Sequence, residues 1–237
     1  MSKAPAVDYA LRIIEFFSET QKEIGLADIC NSLEINKNAA SRVLESLLEY
    51  NWIYLSDNIQ KKYRFTLKPF SVVSKCTPEY ALAEIAKNEL HRLNEQLGDA
   101  VYLGIKNKEN VLYLLHFDST KEVRINGRVG GEYPLKTSAP GKILLAHGEH
   151  SDEFNDEADR IKKQGYATDK EEFAKGIICI ACPIYNDSGK VVASAGISSL
   201  TIYDDMTTLV NDKLPLLKNA AQNISLNLGY KGCVIQI

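Results

Sequence analysis

Apolar and polar residues in the first third of the chain recur with the three- to four-residue period of amphipathic helices. A first helix is predicted to begin at Pro5, a residue suited to the first helical position. A second, short helix is predicted over residues 26–33, with Cys30 as one of its small buried residues. The apolar stripe predicted for the first helix consists of Val7, Leu11, Ile14 and Phe17.

The third predicted helix has the clearest boundaries. Asn36 suits its N-cap, because the side chain can accept a hydrogen bond from a free N–H of the first turn. Asn51 suits its end, because asparagine tolerates the left-handed conformation there. The predicted buried face consists of Ala40, Val43, Leu44, Leu47 and Leu48. The outward face carries donors and acceptors with the reach of base edges and phosphates, or is a solvated helix face: Asn36, Lys37, Asn38, Ser41 and Arg42.

A basic hairpin is predicted after the third helix. Its strands, Trp52–Leu55 and Ile59–Leu67, flank turn residues 56–58. The return strand carries three cations suited to a phosphate backbone, Lys61, Lys62 and Arg64. Two helices around a tight turn, followed by such a hairpin, predict a winged helix-turn-helix, a module that places one helix in the major groove of DNA.

A different pattern begins after this hairpin. Thr77-Pro78-Glu79 is typical of a helix start, and Gly98 is typical of a helix end. Residues 69–77 are therefore interpreted as the boundary between a domain of residues 1–72 and a second domain of residues 77–237. The apolar stripe of this long helix consists of Leu82, Ile85, Ala86, Leu90, Leu93 and Leu97.

The rest of the second domain is predicted to mix strands and helices. Strands are expected at Ala100–Ile105, Val111–Phe117, Val123–Ile125, Ile177–Tyr185 and Val191–Ser198, the last two paired across the turn at residues 186–189. Helices are expected at Gly141–Ala146, Glu153–Gln164 and Asp204–Leu228, the last interrupted or kinked near Pro215. Because the strands and helices do not alternate regularly, we expect an α+β domain, an antiparallel sheet with helices on one side.

Composition is ordinary for a soluble protein, with 45% hydrophobic and 25% charged residues among 237. Residues 1–75 carry ten Lys/Arg against nine Asp/Glu, whereas residues 76–237 carry 18 against 22, an asymmetry in the direction that DNA binding requires. Five scattered cysteines argue against a secreted disulfide framework. Without an apolar run of about 20 residues or a signal peptide, the chain is predicted to be cytoplasmic, with no membrane partner.

Candidate catalytic and metal sites are weak. Cys179-x-x-Cys182 lies on a predicted strand, where residues three apart point to opposite faces, so we interpret both cysteines as buried or pocket-lining. His147 and His150 are interpreted as a polar loop after a helix, with an opportunistic metal site as the alternative. Small residues at positions 137–141 offer free N–H groups to an anion, or form only a tight turn. We expect no cofactor, no metal and no enzymatic activity.

The segments Leu26–Leu33, Ser41–Leu47 and Lys61–Tyr63 together resemble the DNA-binding domain of the IclR family of bacterial regulators. Asn38 departs from the family, which usually has Ser or Thr early in the recognition helix, and Asn51 replaces its usual glycine. The resemblance extends over residues 6–229.

Two segments of the second domain also resemble this family, Pro134–Ala146 and Gly165–Pro183, followed by Asp187-x-Gly189. In the family this domain is a GAF-like fold that binds small, often carboxylate-bearing metabolites and drives dimer or tetramer assembly. Pro140 replaces a small residue common at its position. The resemblance implies effector contacts at Ala139, Pro140, Gly141, Asp169, Ile177, Cys179, Gly196 and Ser198.

We therefore predict a homo-oligomeric transcription regulator, a repressor or an activator, that binds a near-palindromic operator in double-stranded DNA. A small metabolite, expected to be a carboxylate, would control DNA affinity from the second domain. Two alternatives are a small-molecule enzyme and a protein-interaction module whose winged helix does not bind DNA.

Overall fold

The computed structural model describes residues 4–20, 23–57, 59–76, 78–149 and 151–232. These residues form two compact units, divided in sequence between residues 77 and 78. Three residues that the sequence places in a turn, a helix N-cap and a candidate metal site lie outside the described residues: Asn58, Thr77 and His150.

The first unit combines helices with a small sheet. Its elements are α1 (Pro5–Thr20), β1 (Ile24–Gly25), α2 (Leu26–Leu33), α3 (Lys37–Glu49), β2 (Ile53–Asp57), β3 (Lys62–Phe65) and α4 (Lys68–Cys76). The strands pair antiparallel in the order β1-β3-β2. The predicted helix-turn-helix and hairpin are confirmed, whereas β1 was not predicted. α4 makes most of the predicted domain boundary helical.

The core of the first unit joins the three N-terminal helices to β2. Its most buried side chains include Ile13, Phe17, Ile29, Leu44 and Ile53. The stripe predicted for α1 is wrong at Val7 and Leu11, each of which is 57% exposed. Successive helical residues are about 100° apart around the axis, so Leu11 lies about 200° from the fully buried Ile13. α1 therefore packs on the face that carries Ile13 and Phe17.

The return strand of the hairpin is shorter than predicted, because β3 begins at Lys62 rather than at Ile59. The Asp57 carboxylate accepts hydrogen bonds from the backbone N–H groups of Ile59 at 2.7 Å and Gln60 at 2.9 Å. Lys61 follows with φ 50°, in the left-handed region. These features are typical of a turn closed by an aspartate, so Lys61 belongs to the turn and not to the strand.

The second unit is built on one six-stranded sheet. Its elements are α5 (Pro78–Leu97), β4 (Ala100–Asn107), β5 (Asn110–Phe117), β6 (Glu132–Pro134), α6 (Ala139–Ala146), α7 (Asn155–Gln164), β7 (Ala167–Lys170), β8 (Ile177–Tyr185), β9 (Val191–Leu200), α8 (Met206–Thr208) and α9 (Leu214–Asn227). The strand order is β6-β5-β4-β9-β8-β7, and every neighbouring pair is antiparallel. The predicted α+β class with an antiparallel sheet is confirmed.

Some strands of the second unit differ from the prediction. β6 and β7 were not predicted, and both are short strands at the edges of the sheet. Residues 123–125, predicted as a strand, are irregular. The N–H of Val123 donates to the hydroxyl of Tyr203 at 2.9 Å, so this N–H is not available to pair with a neighbouring strand.

The last helix is interrupted as predicted. A π-helical segment, Leu209–Lys213, precedes α9, and Pro215 lies in the first turn of α9, where its missing N–H is not needed. Among the described residues no helix is both long enough and apolar enough to cross a membrane.

Helices cover both faces of the sheet, which corrects the prediction of helices on one side. On one face α5 and α9 pack against residues that include Val101, Ile180 and Ile197. On the other face α6 and α7 pack against residues that include Cys179 and Ala181. Since neighbouring strand residues point to opposite faces, a strand buried on both sides must be apolar at nearly every position. Residues 177–184 have this pattern.

We predict that Leu90→Ala lowers the free energy of unfolding of the second unit by about 2–5 kcal/mol, because Leu90 is fully buried between α5 and the sheet. The matched control Leu226→Ala, on α9 with the leucine 48% exposed, should change it by less than about 0.5 kcal/mol. Urea unfolding followed by circular dichroism measures both, while fluorescence of the single Trp52 follows the first unit separately. Equal losses in the two variants would contradict the assigned packing.

Candidate functional site

α3 presents polar side chains on its exposed face. The Asn36 side chain accepts a hydrogen bond from the N–H of Ala39 at 2.9 Å, so it caps the helix as predicted. The half-buried Ser41 donates its hydroxyl to Glu45 at 3.0 Å. The exposed residues of the first two turns are Lys37, Asn38 and Arg42. This face carries a cationic fork and an amide that are free to approach a nucleic acid.

The hairpin presents cations near the same helix in sequence. Lys62 and Arg64 are two residues apart on β3, so their side chains point to the same face of the sheet. Arg64 is exposed and lies opposite Tyr54 on β2. Lys61 is exposed in the turn. Of the three cations predicted for the return strand, two therefore share a strand face and the third precedes it.

A cavity of about 30 Å³ lies in the second unit, on the sheet face that packs against α6. Such a volume holds about one or two water molecules. Side chains from β4, β5, β8 and β9 form its floor, and the irregular segment between β5 and β6 contributes Ile125 and Gly127. Its polar and aromatic lining includes Tyr102, Tyr113, His116, Tyr133, Ser138, Asp169, Phe173, Cys179 and Ser198.

Five of the eight sequence-predicted effector contacts line this cavity: Pro140, Asp169, Ile177, Cys179 and Ser198. The other three, Ala139, Gly141 and Gly196, are not among its lining residues. Ala139 is fully buried in the core of α6 and α7. A Cβ on Gly141 would overlap the backbone of Leu135, and a Cβ on Gly196 would overlap the ring of Tyr102. Both glycines therefore permit close packing around the cavity without facing it.

The aromatic residues of the cavity were not predicted from the sequence. The rings of Tyr102 and Tyr113 stack with centroids 4.6 Å apart, and those of Tyr113 and Tyr133 stack at 4.1 Å. Phe173 then meets Tyr133 edge-on at 5.8 Å. Burial raises the pKa of Tyr102 and of Tyr113 well above the usual value, so both phenols stay neutral. Tyr102 and Tyr113 lie on strands that the sequence predicts, whereas Tyr133 does not, and strand patterning does not reveal that the three rings meet.

Asp169 is the acidic group of the cavity and is fully buried. Its Oδ1 accepts hydrogen bonds from the N–H groups of Glu172 at 2.8 Å and Phe173 at 3.2 Å. Its Oδ2 is buried with no hydrogen-bond partner among the described residues. Burial raises the pKa of this carboxyl, against the effect of the two backbone N–H groups.

The two cysteines of the C-x-x-C motif lie on opposite faces of β8, as predicted. Cys179 lines the cavity, and its Sγ is 3.0 Å from Oγ of Ser198. Cys182 lies in the core beneath α5 and α9. Burial raises the pKa of each thiol to about 12, so neither is a thiolate nucleophile near neutral pH.

His147 lies at the end of α6, with its ring edge-on to Tyr185 at 5.9 Å. Its Nε2 is buried without a partner among the described residues, and burial lowers its pKa. Within the described part of the chain, no group of three His, Cys, Asp or Glu side chains could hold a metal ion.

Protein groups already occupy much of the hydrogen-bonding capacity at the start of α6. The hydroxyl of Ser138 accepts a hydrogen bond from the N–H of Gly141 at 3.3 Å and donates to the carbonyl of Pro134 at 2.5 Å. Pro140 has no N–H. The first turn of α6 therefore offers fewer free N–H groups to an anion than the sequence predicts.

A buried charge cluster fixes one end of the segment that covers the cavity. Nζ of Lys121 lies 2.5 Å from Asp99 and 3.0 Å from Asp204. Nζ of Lys213 lies 2.5 Å from Asp99 and 2.6 Å from Asp204. Although burial opposes it, hydrogen bonds from Lys213, Ser199 and Lys121 lower the pKa of Asp204 to about 2. Two cations face two anions, so the cluster carries no net charge.

Family models match both units of the chain. The IclR helix-turn-helix domain matches residues 6–56. The model described as bacterial transcriptional regulator IclR C-terminal matches residues 75–154 and 149–226. Together they cover most of the chain.

Individual proteins agree with these matches. The HTH-type transcriptional regulator KdgR of Dickeya chrysanthemi is 26% identical over 232 residues, covering 89% of this chain and 75% of the relative. The crystal structure of the Thermotoga maritima IclR has a TM-score of 0.79 at 22% identity, covering 95% of this chain and 99% of that one. An IclR homolog from Microbacterium hydrocarbonoxydans, complexed with 4-hydroxybenzoate, has a TM-score of 0.78 at 18% identity, covering 94% and 98%.

We predict that Gly196→Ala destabilises the second unit by about 1–3 kcal/mol, because the new methyl group would displace the ring of Tyr102 from its stack. Denaturant unfolding measures the loss, and near-ultraviolet circular dichroism follows the tyrosines. The control is the same substitution in a Tyr102→Ala background, where the added cost should largely disappear. An unchanged cost in that background would exclude the ring as its cause.

Proposed function

Because this chain belongs to the IclR family of bacterial transcriptional regulators, we propose that it controls transcription by binding an operator through its first unit and a small metabolite through its second. The observation that carries the proposal is the exposed face of α3 beside a basic hairpin, within the unit that matches the family's helix-turn-helix. The second unit supplies a buried, polar-lined cavity of the kind that small ligands occupy.

The DNA contacts that we propose fall into two kinds. Arg42 and Asn38 have side chains that can read base edges in the major groove. Lys62 and Arg64 on the hairpin face the sugar-phosphate backbone and add affinity that does not depend on sequence. Contacts that position the protein on DNA are proposed for Asn36, Lys37, Ser41 and Lys61.

We propose that the regulator acts as a dimer or a tetramer in the cytoplasm, where chromosomal DNA is accessible. Two copies of the first unit related by twofold symmetry require half-sites related by the same symmetry. A near-palindromic operator follows, with half-site centres about 10 base pairs, or a multiple of that, apart.

We propose that the effector is a small carboxylate held in the cavity by Pro140, Asp169, Ile177, Cys179 and Ser198, with Ala139, Gly141 and Gly196 shaping the wall. The neutral hydroxyls of Tyr102 and Ser198 supply hydrogen-bond donors. The structural neighbour that holds 4-hydroxybenzoate supports a carboxylate of this size class. A cavity of about 30 Å³ must widen to admit such a molecule, so binding would move its walls.

The operator proposal is tested by selection from random-sequence duplexes with the purified full-length chain at low salt. We expect enrichment of one inverted repeat, because a symmetric dimer presents two identical recognition helices. Binding of the enriched duplex is then measured with and without a panel of small carboxylates at constant salt, and an effector should change the affinity about 5- to 150-fold. Enrichment of no sequence, or of an asymmetric one, would contradict the proposal.

We predict that Arg42→Ala weakens binding to the selected operator by about 1–3 kcal/mol and relaxes the preference at one base pair. Lys62→Ala should weaken binding to all duplexes alike and reduce the slope of log affinity against log salt by about 1. Lys106→Ala removes an exposed charge from the second unit and serves as the charge-matched control, which should leave both quantities unchanged. Wild-type DNA binding by Arg42→Ala and Lys62→Ala would instead favour a winged helix that binds protein.

A further inference from the structure

The cavity proposed as the effector site is poor in positive charge. None of the residues that line it in the described part of the chain is Lys or Arg, whereas Asp169 is one of them. An ionised Asp169 would repel a carboxylate at hydrogen-bond distance, and burial strengthens that repulsion. A carboxylate effector in this cavity therefore needs a compensating positive charge, and a proton is the simplest one.

Asp169 has one oxygen free to hold that proton. Its Oδ1 accepts hydrogen bonds from two backbone N–H groups, at 2.8 Å and 3.2 Å, and an unprotonated oxygen is the better acceptor for both. Its Oδ2 is buried and without a partner among the described residues. The proton therefore belongs on Oδ2, where the carboxyl becomes a donor while Oδ1 remains an acceptor.

The charged groups around Asp169 act on its pKa in opposite directions, since Glu172 raises it and Lys142 lowers it. Nζ of Lys142, the cation of α6 nearest to it, lies 2.5 Å from Glu172 and 3.3 Å from Glu157. Lys142 is thus already paired with two carboxylates other than Asp169. Three further titratable groups interact with Asp169, Tyr102 from β4, Tyr113 from β5 and Cys179 from β8, and burial keeps all three neutral.

We propose that the effector carboxylate binds together with one proton, which Asp169 carries on Oδ2 and donates in a hydrogen bond to the carboxylate. No covalent bond to the effector forms or breaks. Where Asp169 is ionised in the free protein, one proton is taken up from solvent for each carboxylate bound. This inference rests on the proposed function, since it assigns the protonation state of the same site.

The pH dependence follows from linkage. Below the pKa of Asp169 in the free protein, the proton is already present, and affinity does not change with pH. Above that pKa, the free protein must take up a proton to bind, so the Kd rises with pH by up to about tenfold per unit. A neutral ligand of the same shape needs no proton, and its Kd stays constant.

His116 is the competing carrier of the proton. Its Nε2 lies 3.1 Å from Asp118, and its Nδ1 is buried without a partner among the described residues. Protonated His116 would also favour a carboxylate at low pH. Burial lowers the pKa of His116, however, and its ring is stacked on Tyr113 at 6.1 Å. The two carriers are separated by substitution.

The test uses calorimetric titration of the full-length chain between pH 5.5 and 8.5 with 4-hydroxybenzoate and glycolate, each beside its primary amide. Titrations at each pH in two buffers of different ionisation enthalpy measure proton uptake. We expect uptake approaching one proton for the carboxylates at high pH, a Kd that rises about tenfold per unit there, and no uptake for the amides.

Two variants show whether Asp169 or His116 carries the proton. Asp169→Asn keeps an acceptor oxygen for the backbone and places an amide donor where Oδ2 lies, so its carboxylate affinity should not depend on pH. His116→Gln should keep the dependence of the wild type. If Asp169→Asn fails to fold, proton uptake by the wild type and by His116→Gln still decides the matter.

Three results would overturn the proposal: carboxylates that bind no better than their amides at every pH, carboxylate binding without proton uptake, or a dependence lost in His116→Gln and kept in Asp169→Asn. Each leaves the proposed function in place if an amide or another neutral probe binds and alters operator affinity. Failure of the operator selection, by contrast, would count against the proposed function and not against the proton.

Discussion

The second unit is organised by a sheet that is apolar on both faces. Alternate residues of β8 contribute to separate cores, Ile180 beneath α5 and α9 and Cys179 beneath α6 and α7. Since neither face tolerates water, helices must cover both. On the α6 side the cover is incomplete, and stacked tyrosines together with the irregular segment after β5 enclose a cavity there. The candidate effector site is thus a consequence of how the second face is covered.

Burial beneath the helices and the irregular segment determines the protonation of the groups that line the cavity. The same loss of solvent raises the pKa of a carboxyl, a thiol and two phenols, at Asp169, Cys179, Tyr102 and Tyr113. The phenols and the thiol are therefore neutral hydrogen-bonding groups near neutral pH, and the carboxyl of Asp169 is a weaker acid than it would be in water. A site of this kind suits reversible recognition, and its thiol lacks the ionised form that covalent chemistry requires.

The pairing of charged side chains differs among three parts of the molecule. Near the cavity, Asp99, Lys121, Asp204 and Lys213 form a closed cluster that tethers the covering segment and leaves no net charge. On α3 and the hairpin, cations remain exposed, where counterions or phosphates can pair with them. In the cavity itself, Oδ2 of Asp169 has no hydrogen-bond partner among the described residues. The first arrangement pairs its charges within the protein, and the other two leave polar groups that a ligand could pair with.

Local sequence determined the elements whose signals lie within a few residues. The N-cap at Asn36 follows from capping chemistry, and the strand Ile177–Tyr185 follows from apolar patterning. The resemblance to the family identified five residues that line the cavity. Tertiary structure decided the rest. The packing of α1 exposes Leu11, the two-sided cover of the sheet overturns a one-sided prediction, and the stack around Tyr102 joins residues from different strands. Those outcomes depend on which distant segments meet, and the local sequence pattern does not encode that pairing.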